Sequence, residues 1–97
     1  EFQLEFSMLK TLENLISTIR QKKTSPDEKS YTSKLLRDKN LSVEKVKEEI
    51  AELIEAVENN SNTVHEAADV LYHLLVYLEG NGVRIEDIML ELDKRRK

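Results

Sequence analysis

Five acidic residues in two short segments have the types and spacing for metal-assisted chemistry. Glu48-Glu49-Ile50-Ala51-Glu52 and Glu66-Ala67-Ala68-Asp69 each repeat an acid at i, i+3, pairing Glu49 with Glu52 and Glu66 with Asp69. On a helix this spacing puts both members of a pair on one side. If two such helices pack antiparallel across the polar loop Asn59-Asn60-Ser61-Asn62, the four carboxylates converge. Four negative charges cannot all stay ionised side by side in a poorly hydrated site, and a divalent cation resolves the conflict. Donors that are all oxygen favour Mg²⁺, with Mn²⁺ as a substitute, over zinc. Glu49, Glu52, Glu66 and Asp69 are therefore the candidate metal ligands. The pieces also have ordinary readings. A Glu-rich helix face is usually solvated surface, and Thr63-x-x-Glu66 is also a capping box. Asp69 resists that treatment, because it lies past the first turn of an otherwise apolar helix. His73, one turn further along the same side, reads as a hydrogen-bonded core residue.

The elements that must position these acids are helical. In Thr63 to Glu79, Val64, Ala67, Ala68, Leu71, Leu74, Leu75 and Leu78 recur at helical spacing, while Val70, Val76 and Tyr77 lie off that stripe. A helix apolar on nearly every side is buried among neighbours. Before it, Ser42 is expected to cap a helix over Val43 to Asn59. Val46, Ile50, Leu53, Ile54 and Val57 would form its inner stripe, with Glu49 and Glu52 at the edge and Glu48 and Glu55 towards solvent. Met8 to Arg20 predicts a first helix, Lys22 to Lys29 a turn, and Ser30 to Arg37 a short helix. Gly80-Asn81-Gly82 stops the buried helix. Ile85 to Lys94 predicts a last one, with Ile88, Met89 and Leu92 inward. With no strand signal, the expected class is all-α.

Composition narrows the function classes. Ninety-seven residues with two Gly and one Pro predict one domain over residues 8–97. Residues 1–7 fit the pattern poorly and read as a remnant of expression or an N-terminal extension. The chain has no cysteine, which excludes disulfides and thiolate metal sites and fits a cytoplasmic location. No apolar run approaches the ~20 residues of a membrane span, so no membrane partner is expected. A net charge of −4 argues against nucleic acid. Arg20, Lys22 and Lys23, and the closing Lys94-Arg95-Arg96-Lys97, are basic runs that suit helix C-termini or a phosphate-bearing ligand. A chain this short buries a limited core. Val64 to Leu78 therefore predicts a homodimer or higher oligomer, whose pairing completes a helical bundle.

The order E-E-x-x-E then E-x-x-D resembles the all-α nucleoside-triphosphate pyrophosphohydrolases related to the MazG proteins. Within that superfamily the chain is similar, from about Leu12 to Arg96, to the phosphoribosyl-ATP pyrophosphohydrolase family of histidine biosynthesis. The segments that carry this are Ser30-Tyr31-Thr32 with Lys34-Leu35-Leu36, Lys45-Val46 before Glu48-Glu49, and Glu66 to Leu75. Gly82-Val83-x-Ile85-Glu86-Asp87-Ile88, Glu91-Leu92 and Arg95-Arg96 also fit. Two positions depart from the family pattern: Lys47 stands where Gly is usual, and Arg84 where a capping Ser is usual. Neither is a proposed ligand.

The resemblance implies Mg²⁺-dependent hydrolysis of the α–β phosphoanhydride of phosphoribosyl-ATP to phosphoribosyl-AMP and pyrophosphate, by a dimer with its active sites near the subunit contact. Glu48 would accept a proton from the attacking water or position it, beside the ligand Glu49. Ser30, Tyr31 and Thr32 would shape the substrate pocket, and Lys34, Lys45, Arg95 and Arg96 are candidate phosphate contacts. Two alternatives use the same residues: a house-cleaning (d)NTP pyrophosphohydrolase, and a non-catalytic helical interaction module.

Overall fold

The computed structural model describes residues 6–96, with the backbone alone for residues 6–8. Five helices follow in order: α1 (Phe6–Thr24), α2 (Tyr31–Arg37), α3 (Lys39–Asn59), α4 (Thr63–Gly80) and α5 (Ile85–Arg95). The fold is all-α, and the described residues contain no strand. The first five residues of the poorly fitting segment 1–7 lie outside the described residues.

The core forms where α1, α2 and α4 meet. Ile16 and Ile19 of α1, Leu35 of α2, and Leu75 and Val76 of α4 are buried together, with Leu12, Leu15, Leu36, Leu41, Tyr72 and Ile85 packed around them. α3 and α4 form an antiparallel hairpin with the most extensive contact in the molecule, whereas α5 touches α4 and does not approach α3.

Several boundaries differ from the sequence expectation, each for a local reason. α1 runs past Arg20 to Thr24, with Lys22 and Lys23 in its last turn, where cations suit the helix dipole. α3 starts at Lys39, because Asp38 rather than Ser42 is its cap: the Asp38 carboxylate accepts from Leu41 N at 3.1 Å. Asp38 also closes α2 by donating its N–H to Lys34 O, so one residue serves two helices. The α3–α4 loop is compact because Asn60 and Asn62 both adopt left-handed backbone, which Asn tolerates better than most residues. Ser61 N then reaches back to Ala56 O at 3.0 Å, a Schellman closure of α3. Thr63 is not a cap; it is the first helical residue of α4, and its hydroxyl donates to Ala56 O at 3.3 Å. The capping box does not form, so Glu66 is not used in capping.

The apolar stripes also turn differently from expectation. On α3 the inner face carries Ser42, Glu49 and Ala56, while Ile50, Ile54 and Val57 are exposed. On α4 the buried residues are His73, Leu75, Val76 and Glu79, while Val64 (84% exposed) and Leu71 face outward. Small Ala56 lets the two backbones approach, and the acids occupy the seam between the helices. Similarly, Met89 and Leu92 of α5 are exposed and Ile88 is half-buried. Ile85 is the residue of α5 that packs on the core.

Candidate active site

The seam between α3 and α4 brings the predicted acids together. Single carboxylate oxygens of Glu49, Glu52 and Glu66 lie within 4.8 Å of one another, and donor atoms of His65, Glu66 and Asp69 do the same. Glu66 belongs to both groups. Glu49 is 8% exposed, yet its Oε2 has no hydrogen-bond partner, and neither does the buried Oε2 of Glu66. A buried carboxylate oxygen without a donor is costly. Burial, then the neighbouring carboxylates Glu52 and Asp69, push the Glu49 carboxyl above its usual range, and the same causes raise Glu66. Unpartnered buried oxygens in a repelling all-oxygen cluster are the donor set that a hard divalent cation satisfies. The residues fit the ion.

An open cleft of about 400 Å³ lies beside the cluster, lined by Glu52, Glu55, Ala56, Asn59, Ser61, Asn62 and Glu66. Glu55 is exposed, as expected, and borders this open cleft. Glu48 is exposed, does not line the cleft, and pairs with Lys45, Nζ to Oε2 at 3.2 Å. The candidate phosphate contact and the candidate base are therefore neighbours. The Glu48 carboxylate raises the pKa of Lys45.

α2 packs on α4 through hydroxyl and ring contacts and does not line this cleft. Tyr31 donates its hydroxyl to His73 Nε2 at 3.0 Å. The other ring nitrogen, Nδ1–H, donates to the Asp69 carbonyl at 2.9 Å, which fixes the neutral tautomer. Thr32 and Tyr72 are joined through their hydroxyls. The Tyr31 and Tyr72 rings stack at 6.3 Å, and Tyr72 meets His73 edge-on at 5.0 Å. Burial raises the Tyr31 hydroxyl pKa. Ser30 is the N-cap of α2, its Oγ accepting from Ser33 N at 3.2 Å. Lys34 is exposed on α2. Arg95 and Arg96 are not brought to the cluster: Arg95 pairs within α5 with Glu91, and Arg96, just past the helix end, with Asp93, and α5 stays away from α3.

Sequence reasoning missed two features. His65 lies beside the acids, its Nε2 3.4 Å from Asp69 Oδ2; the i, i+4 spacing was the available signal. Arg20 is the other. Rather than meeting a ligand, it grips Glu79 through Nε and Nη2 at 3.0 and 2.8 Å and Glu86 through Nη1 and Nη2 at 2.8 and 2.6 Å. Lys23 donates to Glu79 O at 2.6 Å and Lys22 pairs with Asp27 at 3.5 Å. This basic run is largely taken up by the chain's own acceptors.

A helical hairpin whose seam gathers carboxylates beside an open cleft makes this an all-α protein with an acid-centred candidate site. The profile of the phosphoribosyl-ATP pyrophosphohydrolase family matches residues 12–96, and the chain belongs to that family. It is 42% identical to the phosphoribosyl-ATP pyrophosphatase of Methanoregula boonei, over 92% of this chain and 90% of that protein. The phosphoribosyl-ATP pyrophosphatase of Halobacterium salinarum strain R1 is 38% identical, over 88% of this chain and 96% of that one. The chloroplastic histidine biosynthesis bifunctional protein hisIE of Arabidopsis thaliana is 41% identical over 96% of this chain, which spans only 35% of its length.

Proposed function

We infer that this chain hydrolyses the α–β phosphoanhydride of phosphoribosyl-ATP, yielding phosphoribosyl-AMP and pyrophosphate in the second step of histidine biosynthesis. The observation that carries the reading is the set of buried, unpartnered carboxylates in a chain of this family.

Glu49, Glu52, Glu66 and Asp69 would hold Mg²⁺, with Mn²⁺ as a substitute. When bound, the ion supplies charge neutralisation for the triphosphate and lowers the pKa of a coordinated water. The chain's own residues do the rest by placement, as phosphoryl transfer requires. Glu48, exposed next to the buried Glu49, would take a proton from the attacking water as the anhydride P–O bond breaks and pyrophosphate departs. Lys45 holds Glu48 by their ion pair and lies where a phosphate oxygen could replace that partner. Tyr31 and Thr32, tied to His73 and Tyr72 through their hydroxyls, would shape the substrate pocket, and Ser30 would fix their position by capping α2. Lys34 is a further candidate contact from the same helix.

The active form would be a homodimer or larger. Ile50, Ile54 and Val57 form one exposed stripe on α3, and Val64 and Leu71 lie on one exposed face of α4. Apolar faces of this kind resemble those of obligate interfaces. Arg95 and Arg96, remote from α3 in one chain, would reach phosphate only across such an interface. No helix among the described residues is long and apolar enough to cross a membrane, and the absence of cysteine suits a reducing cytoplasm.

The test is pyrophosphate release from phosphoribosyl-ATP beside a panel of dNTPs, with Mg²⁺ and with chelator. A higher kcat/KM for phosphoribosyl-ATP is expected; faster cleavage of any dNTP overturns the substrate assignment.

A further inference from the structure

We propose that Asn62, at the start of α4, is a specificity-determining residue whose amide holds the pyrophosphate portion of the substrate in the cleft beside the carboxylates. The inference rests on the proposed hydrolysis and deepens it, by assigning that cleft to the departing phosphates rather than to the nucleoside.

Asn62 occupies the N-cap position of α4, where an Asn side chain ordinarily accepts from the first-turn amides. Here it makes no such bond, nor any other side-chain hydrogen bond among the described residues. Its backbone is left-handed, at φ 55° and ψ 24°, a conformation that most residues with a Cβ avoid. Asn60, the other left-handed Asn, has its reason in the closure of α3. A capping residue takes extended backbone, so the left-handed turn at Asn62 leaves its amide free. What it borders is the cleft.

The lining of that cleft decides between the two ends of the substrate. It holds no aromatic side chain, and Ala56 is its one apolar residue, so a purine has nothing to stack on there. The amides of Asn59 and Asn62 and the hydroxyl of Ser61 are donors that suit phosphate oxygens. The start of α4, which no side chain caps, also favours an anion. Glu52, Glu55 and Glu66 oppose one. An anion can enter beside them once a cation has offset their charge, so pyrophosphate and Mg²⁺ must bind together. The independent observation that a ligand belongs here is Glu49. It is more than nine-tenths buried with an orphaned Oε2, and it shares its donor set with Glu52 and Glu66, two residues of the cleft itself.

The experiment is calorimetric titration of the intact protein for wild type, Asn62→Gly and Asn62→Asp. Each is titrated with pyrophosphate in Mg²⁺ and in chelator, with phosphoribosyl-AMP in Mg²⁺, and with Mg²⁺ alone. Glycine takes left-handed backbone freely and Asp tolerates it, so both variants should melt close to wild type in chelator. Wild type should bind pyrophosphate in Mg²⁺ and not in chelator. Asn62→Gly should weaken pyrophosphate by at least about tenfold, the loss of a hydrogen bond to a charged group. Asn62→Asp should weaken it further, because it also adds a negative charge. In Asn62→Gly the affinities for Mg²⁺ and phosphoribosyl-AMP should stay unchanged. Unchanged pyrophosphate affinity in either variant overturns the proposal. So does a parallel loss of Mg²⁺ in Asn62→Gly, which would make Asn62 a support for the metal ligands. A loss confined to phosphoribosyl-AMP overturns it too, by putting the nucleoside in the cleft. A wild type that binds Mg²⁺ but not pyrophosphate refutes it while the cation site stands. A wild type that binds no Mg²⁺ removes the cation reading, and the proposal with it.

Discussion

The hydroxyl of Tyr31 on α2 and Nε2 of His73 on α4 are 3.0 Å apart, and the opposite nitrogen of the same ring holds the Asp69 carbonyl. A residue proposed to shape the substrate pocket is thereby connected through one imidazole to the backbone of a proposed ligand. Tyr31→Phe keeps the ring and removes the link. It strands a buried ring nitrogen, so a loss of about 1 kcal/mol is expected, or roughly 4–8 °C in Tm for a domain this size. The same variant should raise KM for phosphoribosyl-ATP more than it lowers Mg²⁺ affinity. Unchanged melting and kinetics would mean that the contact positions nothing.

Glu49→Gln separates ligand from surface charge. In chelator the variant should melt at or above the wild-type temperature, because one repelling carboxylate is gone. With Mg²⁺ at a hundredfold excess over Kd, wild type should gain roughly 2.7 kcal/mol, and the variant should lose most of that gain together with activity. Glu58→Gln, exposed on the same helix, should track wild type throughout. Thermal melts with and without Mg²⁺ decide it, and a Glu49→Gln enzyme that is still active and still stabilised by Mg²⁺ would remove Glu49 from the site.

The Arg20 clamp sets the acid limit of stability. Hydrogen bonds from Arg20 hold Glu79 below its ordinary value and take Glu86 from 4.5 to about 2. Folded-state values that are depressed stabilise the protein above the unfolded value, and that contribution fades as pH falls from about 4.5 to about 2. Arg20→Met should therefore destabilise strongly at pH 7, where it leaves the 3%-exposed Glu79 without its counter-charge, and much less at pH 3. Denaturant midpoints across that range report it; an equal loss at both pH values would show that the clamp acts by packing alone.

Ile54→Asp probes the outward stripe of α3. In a monomer an exposed position tolerates the change to within about 0.5 kcal/mol. In a dimer closed by that face it should yield monomers and lose most activity. Light scattering at micromolar concentration checks both, and a wild type of monomer mass would leave the stripe unexplained.

The acid pairs and helix order were legible because i, i+3 spacing and apolar recurrence are properties of one helix at a time. Which way each helix faces was not. Ile50, Ile54 and Val57 make as good an inner stripe as any by period, yet Glu49 and Ala56 take the seam. The choice is made by packing between helices, which the period of α3 alone does not carry. Asp38 displaced Ser42 as a cap because both types serve, and only the end of α2 selects between them. Arg20 and Glu79 are 59 residues apart, and nothing local marks them as partners.

The three-residue turn between α3 and α4 has a kinetic consequence. Both halves of the carboxylate cluster sit on one hairpin, so they meet with little loop-closure entropy, early on the folding route. Arg20 must wait for α1 to return across the chain. The repulsion between the acids is thus met on the way up the barrier rather than after it. A divalent ion should accordingly speed refolding more than it slows unfolding, the reverse of what a late-forming site would do.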